Sequence, residues 1–173
     1  MSALAQRPPG GLIDAAVALT VQAQPHKAQV SVLRRMSRDL LSGFPAPSPD
    51  HPRTSDILEV ISEYTTNAIR HGSNSPTAVI QCCVAIWSDG SVRLIVRNAL
   101  GANPLGFTRL CAETVATGPL TVSDPTQPAS VMELPECGIG LRCVVHGSAD
   151  YWSVEVQEDE VVALAVFSPA PTR

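Results

Sequence analysis

The chain has 173 residues, 45% of them hydrophobic and only 4% aromatic, so it can bury one substantial core built mainly from aliphatic side chains. Its formal net charge of −4 gives no general attraction to nucleic acid or anionic lipid, and we expect neither as a direct partner. Lys27 is the only lysine, and no Gly-Lys-Ser/Thr step occurs, which excludes a phosphate loop of that type.

The five cysteines are odd in number and contain no Cys-x-x-Cys pair. This predicts free thiols in a reducing compartment rather than a zinc site or a disulfide framework. Leu12–Val21 contains an aspartate and is too short and polar to span a bilayer, and no signal peptide is recognisable. We therefore expect a cytoplasmic protein without a membrane anchor.

The first third of the chain predicts a leader, a strand, a helix and a loop. Residues 1–15 are expected to be a mobile leader because prolines and glycines interrupt them. Ala16–Gln22 is a predicted strand, and His26–Leu41 a predicted helix. Residues 42–53 are proline-rich and predict a loop, in which His51 lies beside prolines and is expected to be exposed.

An amphipathic helix is predicted over Ile57–Gly72, because apolar residues recur there at three- and four-residue steps. Thr54 or Ser55 is the expected N-cap. Gly72 is expected to end the helix, since glycine tolerates the positive φ common at that position.

Glu63 and Asn67 are four residues apart and therefore lie on one face of this helix. Two interpretations are open from spacing alone. The pair can hold a proton acceptor and a metal ligand side by side, or it can be two solvated polar residues on the outer face.

A β-hairpin follows, with predicted strands at Thr77–Trp87 and Val92–Val96. The Asp-Gly pair between them favours a type I′ turn. The lid-like stretch at about residues 99–137 is punctuated by glycines and prolines, with one short predicted helix near Phe107–Val115. A stretch of this length is typical of a functional lid or of disorder.

The last part of the chain predicts a glycine-led helix and a second hairpin. Gly138-Ile139-Gly140-Leu141 opens the helix, which runs to Ala149. Glycines at a helix N-terminus let backbone N–H groups approach a phosphate, although a lone Gly-x-Gly can also merely close a loop. Tyr151–Gln157 and Val161–Phe167 are predicted strands, and residues 169–173 a tail.

Strands grouped in hairpins, with helices between them, predict an α+β fold. We expect one domain over residues 16–168. Its architecture would be a two-layer sandwich whose mixed, mostly antiparallel sheet is covered by helices on one face.

Two segments carry a resemblance to a known family. Residues 62–72 (Ser-Glu-Tyr-Thr-Thr-Asn-Ala-Ile-Arg-His-Gly) resemble the N-box helix of the GHKL, or histidine kinase-like, ATPase superfamily. Residues 138–141 resemble its glycine-rich box after the ATP lid. The chain is most similar to the small anti-sigma-factor serine/threonine kinases of bacteria, and the resemblance covers about Ala16–Phe167. It implies the Bergerat fold of that superfamily, with an ATP-lid loop.

The resemblance implies a role for each matching residue. Asn67 would be the ligand of Mg²⁺ on bound ATP, and Glu63 the general base that takes the proton from a substrate hydroxyl. The box formed by Gly138, Ile139, Gly140 and Leu141 would contact the phosphates.

The resemblance weakens where the family binds adenine. Asn98 stands in place of the family's aspartate. Gly101 can take the place of the glycine that follows this aspartate in the family only if its position is shifted. Asn98 can still accept a hydrogen bond, but without the charge that strengthens an aspartate's. Leu100 would crowd the purine, and Val161–Leu164 offers no hydroxyl to support it.

Two functions are therefore open. One is a kinase that binds ATP and Mg²⁺, phosphorylates an anti-sigma-factor antagonist and binds a sigma factor. The other is a protein-binding regulatory module of the same fold, with weak or no ATP binding. Family members often form homodimers through the N-terminal strand and helix, so a second copy is among the expected partners.

Overall fold

The computed structural model describes residues 15–43, 51, 53–73, 75–101, 144–157 and 159–169. Most of the expected leader, nearly all of the lid, the Phe107–Val115 helix, the Gly138–Leu141 box and most of the tail lie outside these ranges. Within them, no helix is long and apolar enough to cross a membrane.

The described strands form one five-stranded sheet in the order β1-β2-β3-β5-β4, with every neighbouring pair antiparallel. The strands are β1 (Val17–Ala23), β2 (Ile80–Ile86), β3 (Val92–Ala99), β4 (Tyr151–Gln157) and β5 (Glu160–Phe167). Helices α1 (Ala28–Ser42) and α2 (Thr54–His71) cover one face, and the short α3 (His146–Ser148) precedes β4. The predicted α+β two-layer sandwich is confirmed.

The core lies between α2 and the three central strands, because alternate strand residues point toward the helices. Ile57, Val60 and Ile61 of α2 are fully buried, as are Leu94 of β3 and Phe167 of β5. The 18-residue α2 therefore has its apolar stripe fixed against the sheet, and this sets which of its polar residues remain at the side.

The start of α2 differs from the prediction. Arg53 occupies the N-cap position and makes no capping bond through its side chain, whereas Thr54 is already helical and its hydroxyl donates to the carbonyl of His51 over 2.6 Å. His51 is only 2% exposed, contrary to expectation. Its Nδ1 accepts from the Arg53 N–H over 3.2 Å, and its Nε2 lies 2.7 Å from the carbonyl oxygen of Gly90. Since that carbonyl only accepts, Nε2 is the protonated nitrogen.

Arg53 joins the start of α2 to the segment before β4. Its guanidinium donates to the Asp150 carboxylate and to the Ser148 carbonyl. It also pairs with Asp56 at 3.3 Å and lies 5.3 Å from the centre of the Phe167 ring. These contacts hold α2 in a fixed position over the sheet.

The β2–β3 turn also differs from the predicted type I′. Gly90 N–H donates to the Trp87 carbonyl, so Ser88 and Asp89 are the two central residues and Gly90 follows them. Gly90 has a φ of 83°, and the Trp87 N–H closes the loop on the Ser91 carbonyl. This pattern is a three-residue loop with glycine in the left-handed region. Strand β3 runs to Ala99, beyond the predicted end at Val96, and this extension brings Asn98 into the sheet.

Candidate functional site

The candidate site is centred on the last two turns of α2. Asn67 is 6% exposed and Glu63, one turn earlier, is half-buried. Nδ2 of Asn67 donates a hydrogen bond to Oε1 of Glu63 over 2.7 Å. The two residues that the sequence predicted to lie on one face of α2 are thus hydrogen-bonded to each other.

This hydrogen bond fixes which way the Asn67 amide faces. A carboxylate oxygen only accepts, so the amide nitrogen must point toward Glu63 and the amide oxygen away from it. An amide oxygen is a hard donor of the kind that Mg²⁺ takes from proteins, usually with few other protein ligands. The donor chemistry of Asn67 therefore fits a magnesium ion. No cluster of three histidine, cysteine or acidic side chains suited to a metal occurs among the described residues.

Residues 98–101 pack against the end of the same helix. Gly72 forms an antiparallel bridge with Leu100, and the Ser73 N–H donates to the Ala99 carbonyl over 3.1 Å. The Leu100 N–H donates in turn to the Asp159 carbonyl over 2.9 Å. The segment after β3 is therefore held between the end of α2 and the β4–β5 turn.

Asn98 is 8% exposed and lies on the helix side of the sheet, as its buried neighbour Val96 does. Its Nδ2 donates to the carbonyl of Ala99 over 3.0 Å. One amide proton is thus used within the chain, and the side-chain oxygen points away from that carbonyl. This oxygen is the atom of Asn98 suited to accept from the amino group of a base.

The two glycines at this junction are required by close backbone contacts. A Cβ at Gly72 would lie 2.3 Å from the Ala68 carbonyl oxygen and 2.8 Å from Nδ2 of Asn98. One at Gly101 would lie 2.0 Å from the His71 carbonyl oxygen. Gly72 has an extended backbone with φ of −75°, so the expected positive φ is wrong and the need for glycine is steric.

His71 completes the row formed by Glu63 and Asn67, again one turn further along α2. Burial, and then the charge of Arg70, lower the pKa of His71 from its ordinary value, while Glu63 acts in the opposite direction. Its imidazole is therefore neutral at neutral pH. A neutral ring leaves Glu63 as the charged group of this row.

The two described cysteines have no role at this site. Cys82 and Cys83 are both buried and free, and their side chains point to opposite faces of β2. Burial raises the pKa of the Cys82 thiol to about 12, with the neighbouring Cys83 adding to the effect. Cys82 is accordingly an inert core residue, in agreement with the predicted free thiols.

The described residues thus bring together two groups of site residues that the sequence predicted. Glu63 and Asn67 are bonded on α2, and Asn98 and Gly101 flank the end of that helix. Gly138, Ile139, Gly140 and Leu141 lie outside the described residues, so their phosphate contacts remain a prediction. The β-bridge between Gly72 and Leu100 was not predicted from the sequence. Its only signal in the sequence is a glycine on each of the two segments, Gly72 and Gly101.

Comparison with known proteins supports the fold. The chain matches a solved structure of the RsbU and RsbW domains of Rv1364c from Mycobacterium tuberculosis, with a TM-score of 0.55 and 17% sequence identity. The match covers 91% of this chain and 34% of that one, so the chain spans about a third of the longer protein. No family model matches the chain, and no curated protein does. At this identity the likeness shows a shared fold.

Proposed function

We propose that the chain binds Mg·ATP beside α2 and is a serine/threonine protein kinase of the anti-sigma-factor type. The hydrogen bond from Asn67 to Glu63 is the observation that carries this proposal. It supplies a fixed amide oxygen for a hard cation and a carboxylate next to it. The fold shared with a structure that contains an RsbW domain supports the same class of protein.

Each residue has a task in this proposal. Asn67 would hold Mg²⁺ through its side-chain oxygen, and the cation would supply charge neutralisation at the phosphates of ATP. Glu63 uses one carboxylate oxygen to hold Asn67, which leaves Oε2 to accept a proton. That proton comes from a serine or threonine hydroxyl as its oxygen attacks the γ-phosphorus, and ADP leaves.

The remaining nucleotide contacts are those that the resemblance to the family implies. The backbone N–H groups of Gly138, Ile139, Gly140 and Leu141 would receive the phosphates. Asn98 would accept from the adenine amino group through its oxygen, and Gly101 would leave room beside it. The protein partners would be a sigma factor and an anti-sigma-factor antagonist, the latter being the phosphorylated substrate.

Calorimetric titration tests nucleotide binding. Mg·ATP should bind weakly and Mg²⁺ alone should give no comparable heat, since the cation needs the phosphates to complete its ligands. Release of ADP with water as acceptor should be lost in Glu63→Gln and kept in Glu59→Gln, an exposed carboxylate one turn earlier on the same helix. The proposal would be contradicted if titration up to about 1 mM nucleotide gave no heat of binding and no competition between nucleotides for the site.

A second function is favoured by one observation, the bond from Asn98 to the Ala99 carbonyl. Asn98 satisfies part of its hydrogen-bonding need within the chain, without a nucleotide. In this alternative the protein is a regulatory module that docks a sigma factor or antagonist without phosphotransfer. It predicts partner binding that is unchanged by Mg·ATP and by the Glu63→Gln substitution, whereas the kinase predicts changes in both.

A further inference from the structure

Strand β4 lies at one edge of the sheet. It pairs with β5 along its whole length, and no strand of the described ranges pairs with its other edge. In an edge strand every second residue points its N–H and C=O groups outward, so such an edge can accept an added strand. Many edge strands are protected by lysine, proline or a bulge. The seven residues of β4 contain neither lysine nor proline and keep one unbroken register with β5.

The side chains of β4 that point toward the helix layer form an apolar rim. Trp152 and Val154 are half-buried and pack against the core. The indole N–H of Trp152 donates to Nδ1 of His146 over 2.9 Å, which fixes the position of this ring. Val156 is 39% exposed. A strand added beside β4 would therefore meet apolar side chains on this side and cover the most exposed of them.

The other side of β4 carries a negative charge without a cation beside it. Glu155 is exposed and accepts a hydrogen bond from Nε2 of Gln157 over 3.1 Å, but it forms no ion pair within the described ranges. Glu160 of β5, which is also exposed, is its diagonal neighbour at about 7–8 Å. Arg97 is in the same row of the sheet as Glu155, but two strand spacings, about 10 Å, separate them. The charge at this edge is thus complementary to a basic residue.

We propose that β4 binds an extended segment of a partner protein as an additional strand, and that this segment alternates apolar residues with lysine or arginine. Successive side chains of a strand point to opposite faces. The apolar residues of the segment would therefore continue the rim of Trp152, Val154 and Val156, and its basic residues would lie beside Glu155. This binding uses neither Glu63 nor Asn67, so it does not depend on the nucleotide site.

The opposite edge of the sheet provides an internal comparison. Strand β1 also has an exposed apolar residue, Val17, which is 42% exposed. It contains no charged residue, so a basic strand added there would gain no charge pair. The proposal therefore predicts binding at β4 and not at β1. A strand of this length forms only a small interface, and we expect a Kd of about 0.1–1 mM.

Titration with synthetic peptides, in the absence of nucleotide, tests the proposal. The probe is Thr-Val-Lys-Val-Arg-Val-Thr, blocked at both ends, and its acidic counterpart is Thr-Val-Glu-Val-Asp-Val-Thr. Amide chemical shifts of the protein should saturate with the basic peptide and give a Kd at least about fivefold lower than with the acidic one. Proline in place of the central valine of the basic peptide should abolish binding, because proline donates no backbone hydrogen bond and interrupts an added strand.

Substitutions in the chain separate the charge from the apolar contact. Glu155→Lys should weaken binding of the basic peptide by about threefold to tenfold and bind the acidic peptide more tightly than the wild type does. This gain cannot result from misfolding. Asp39→Lys changes an exposed charge on α1 by the same amount and, as the matched control, should leave both affinities unchanged. Val156→Thr adds a hydroxyl to the apolar rim and should weaken both peptides by about threefold.

Hydrogen exchange measured by nuclear magnetic resonance locates the bound peptide. The amides of β4 should exchange more slowly with the basic peptide present, and those of β1 should not change. Protection of β1 instead of β4, equal binding of the proline-containing peptide, or an unchanged peptide preference in Glu155→Lys would each overturn the proposal. Slower exchange of β4 with rising protein concentration and no peptide would also overturn it, because a second copy of the chain would then occupy this edge.

Discussion

Nδ2 of Asn67 donates to Oε1 of Glu63 over 2.7 Å, across one turn of a helix whose apolar stripe is fully buried. Because the stripe is fixed against the sheet, the pair cannot rotate into solvent. Besides its proposed task of accepting a proton, Glu63 has the task of orienting the Asn67 amide. Its carboxylate holds the amide nitrogen, so the oxygen of Asn67 faces away from Glu63, toward the place proposed for Mg²⁺.

Substitutions at Glu63 separate these two tasks. A glutamine side chain retains an acceptor for the Asn67 amide but is not a base, so Glu63→Gln should bind Mg·ATP normally and release no ADP. Glu63→Ala also frees the amide to turn, and its affinity for Mg·ATP should fall by about fivefold to tenfold. Calorimetry and ADP release measure the two effects. Equal affinities in both variants would show that Glu63 does not orient Asn67.

Substitution of Asn98 by aspartate should affect folding and binding in opposite directions. The carboxylate cannot donate to the Ala99 carbonyl, so Asn98→Asp should lower the free energy of unfolding of the nucleotide-free chain by about 1–3 kcal/mol. It also offers a charged acceptor to adenine, so Mg·ATP should bind more tightly. Urea unfolding and calorimetry test the two parts. Unchanged or weaker binding would show that Asn98 does not contact the base.

Gly72 should tolerate no side chain, for a steric reason. A methyl group there meets the Ala68 carbonyl and the Asn98 amide, so Gly72→Ala should lower the free energy of unfolding by about 1–3 kcal/mol. Gly147 in α3 is the control, because a Cβ there meets nothing within 4 Å. Gly147→Ala should be neutral or stabilise the chain by up to about 1 kcal/mol. Similar losses in both variants, measured by urea unfolding, would contradict the account.

The lowered pKa of His71 predicts a pH dependence of stability. The unfolded chain takes up a proton at about pH 6.5, whereas the folded chain does so only at lower pH. The free energy of unfolding should therefore fall as the pH drops through about 6.5 and lose this dependence below the folded pKa. His71→Gln should have the shallower pH profile in urea unfolding, and an equal slope would contradict the assignment.

The same histidine reports on Glu63. The carboxylate of Glu63 acts to raise the pKa of His71, so removing its charge in Glu63→Gln should lower that pKa further. Nuclear magnetic resonance of the imidazole nitrogens can follow this shift. A pKa that stays the same or rises would mean that Glu63 and His71 are not in electrostatic contact.

The sequence predicted the helices and strands well where one local pattern decided them. The alternation in Tyr151–Gln157 gave β4 with its observed bounds, and the stripe in Ile57–Gly72 gave α2 to within three residues at its start. The contact between Glu63 and Asn67 could also be predicted from the sequence, because four-residue spacing on a helix places two side chains next to each other.

Long-range contacts were not predictable in the same way. His51 lies among prolines, yet it is buried because the carbonyl of Gly90, 39 residues later, meets its ring. Gly72 looked like a helix end that needs a positive φ, whereas a Cβ there would meet the Ala68 carbonyl of the same helix and the Asn98 side chain of β3. The contacts with Gly90 and with Asn98 were missed because a local pattern carries no information about which distant group will pack against it.

In the proposed mechanism the amide oxygen of Asn67 holds Mg²⁺ on bound ATP. The most direct test is the ratio of the ATP dissociation constants without and with Mg²⁺, measured by calorimetry in the wild type and in Asn67→Ala. We predict a ratio of about ten or more in the wild type and about one in the variant, with metal-free ATP binding equally to both. The same magnesium dependence in both proteins, or no ATP binding by the wild type, would contradict this role of Asn67.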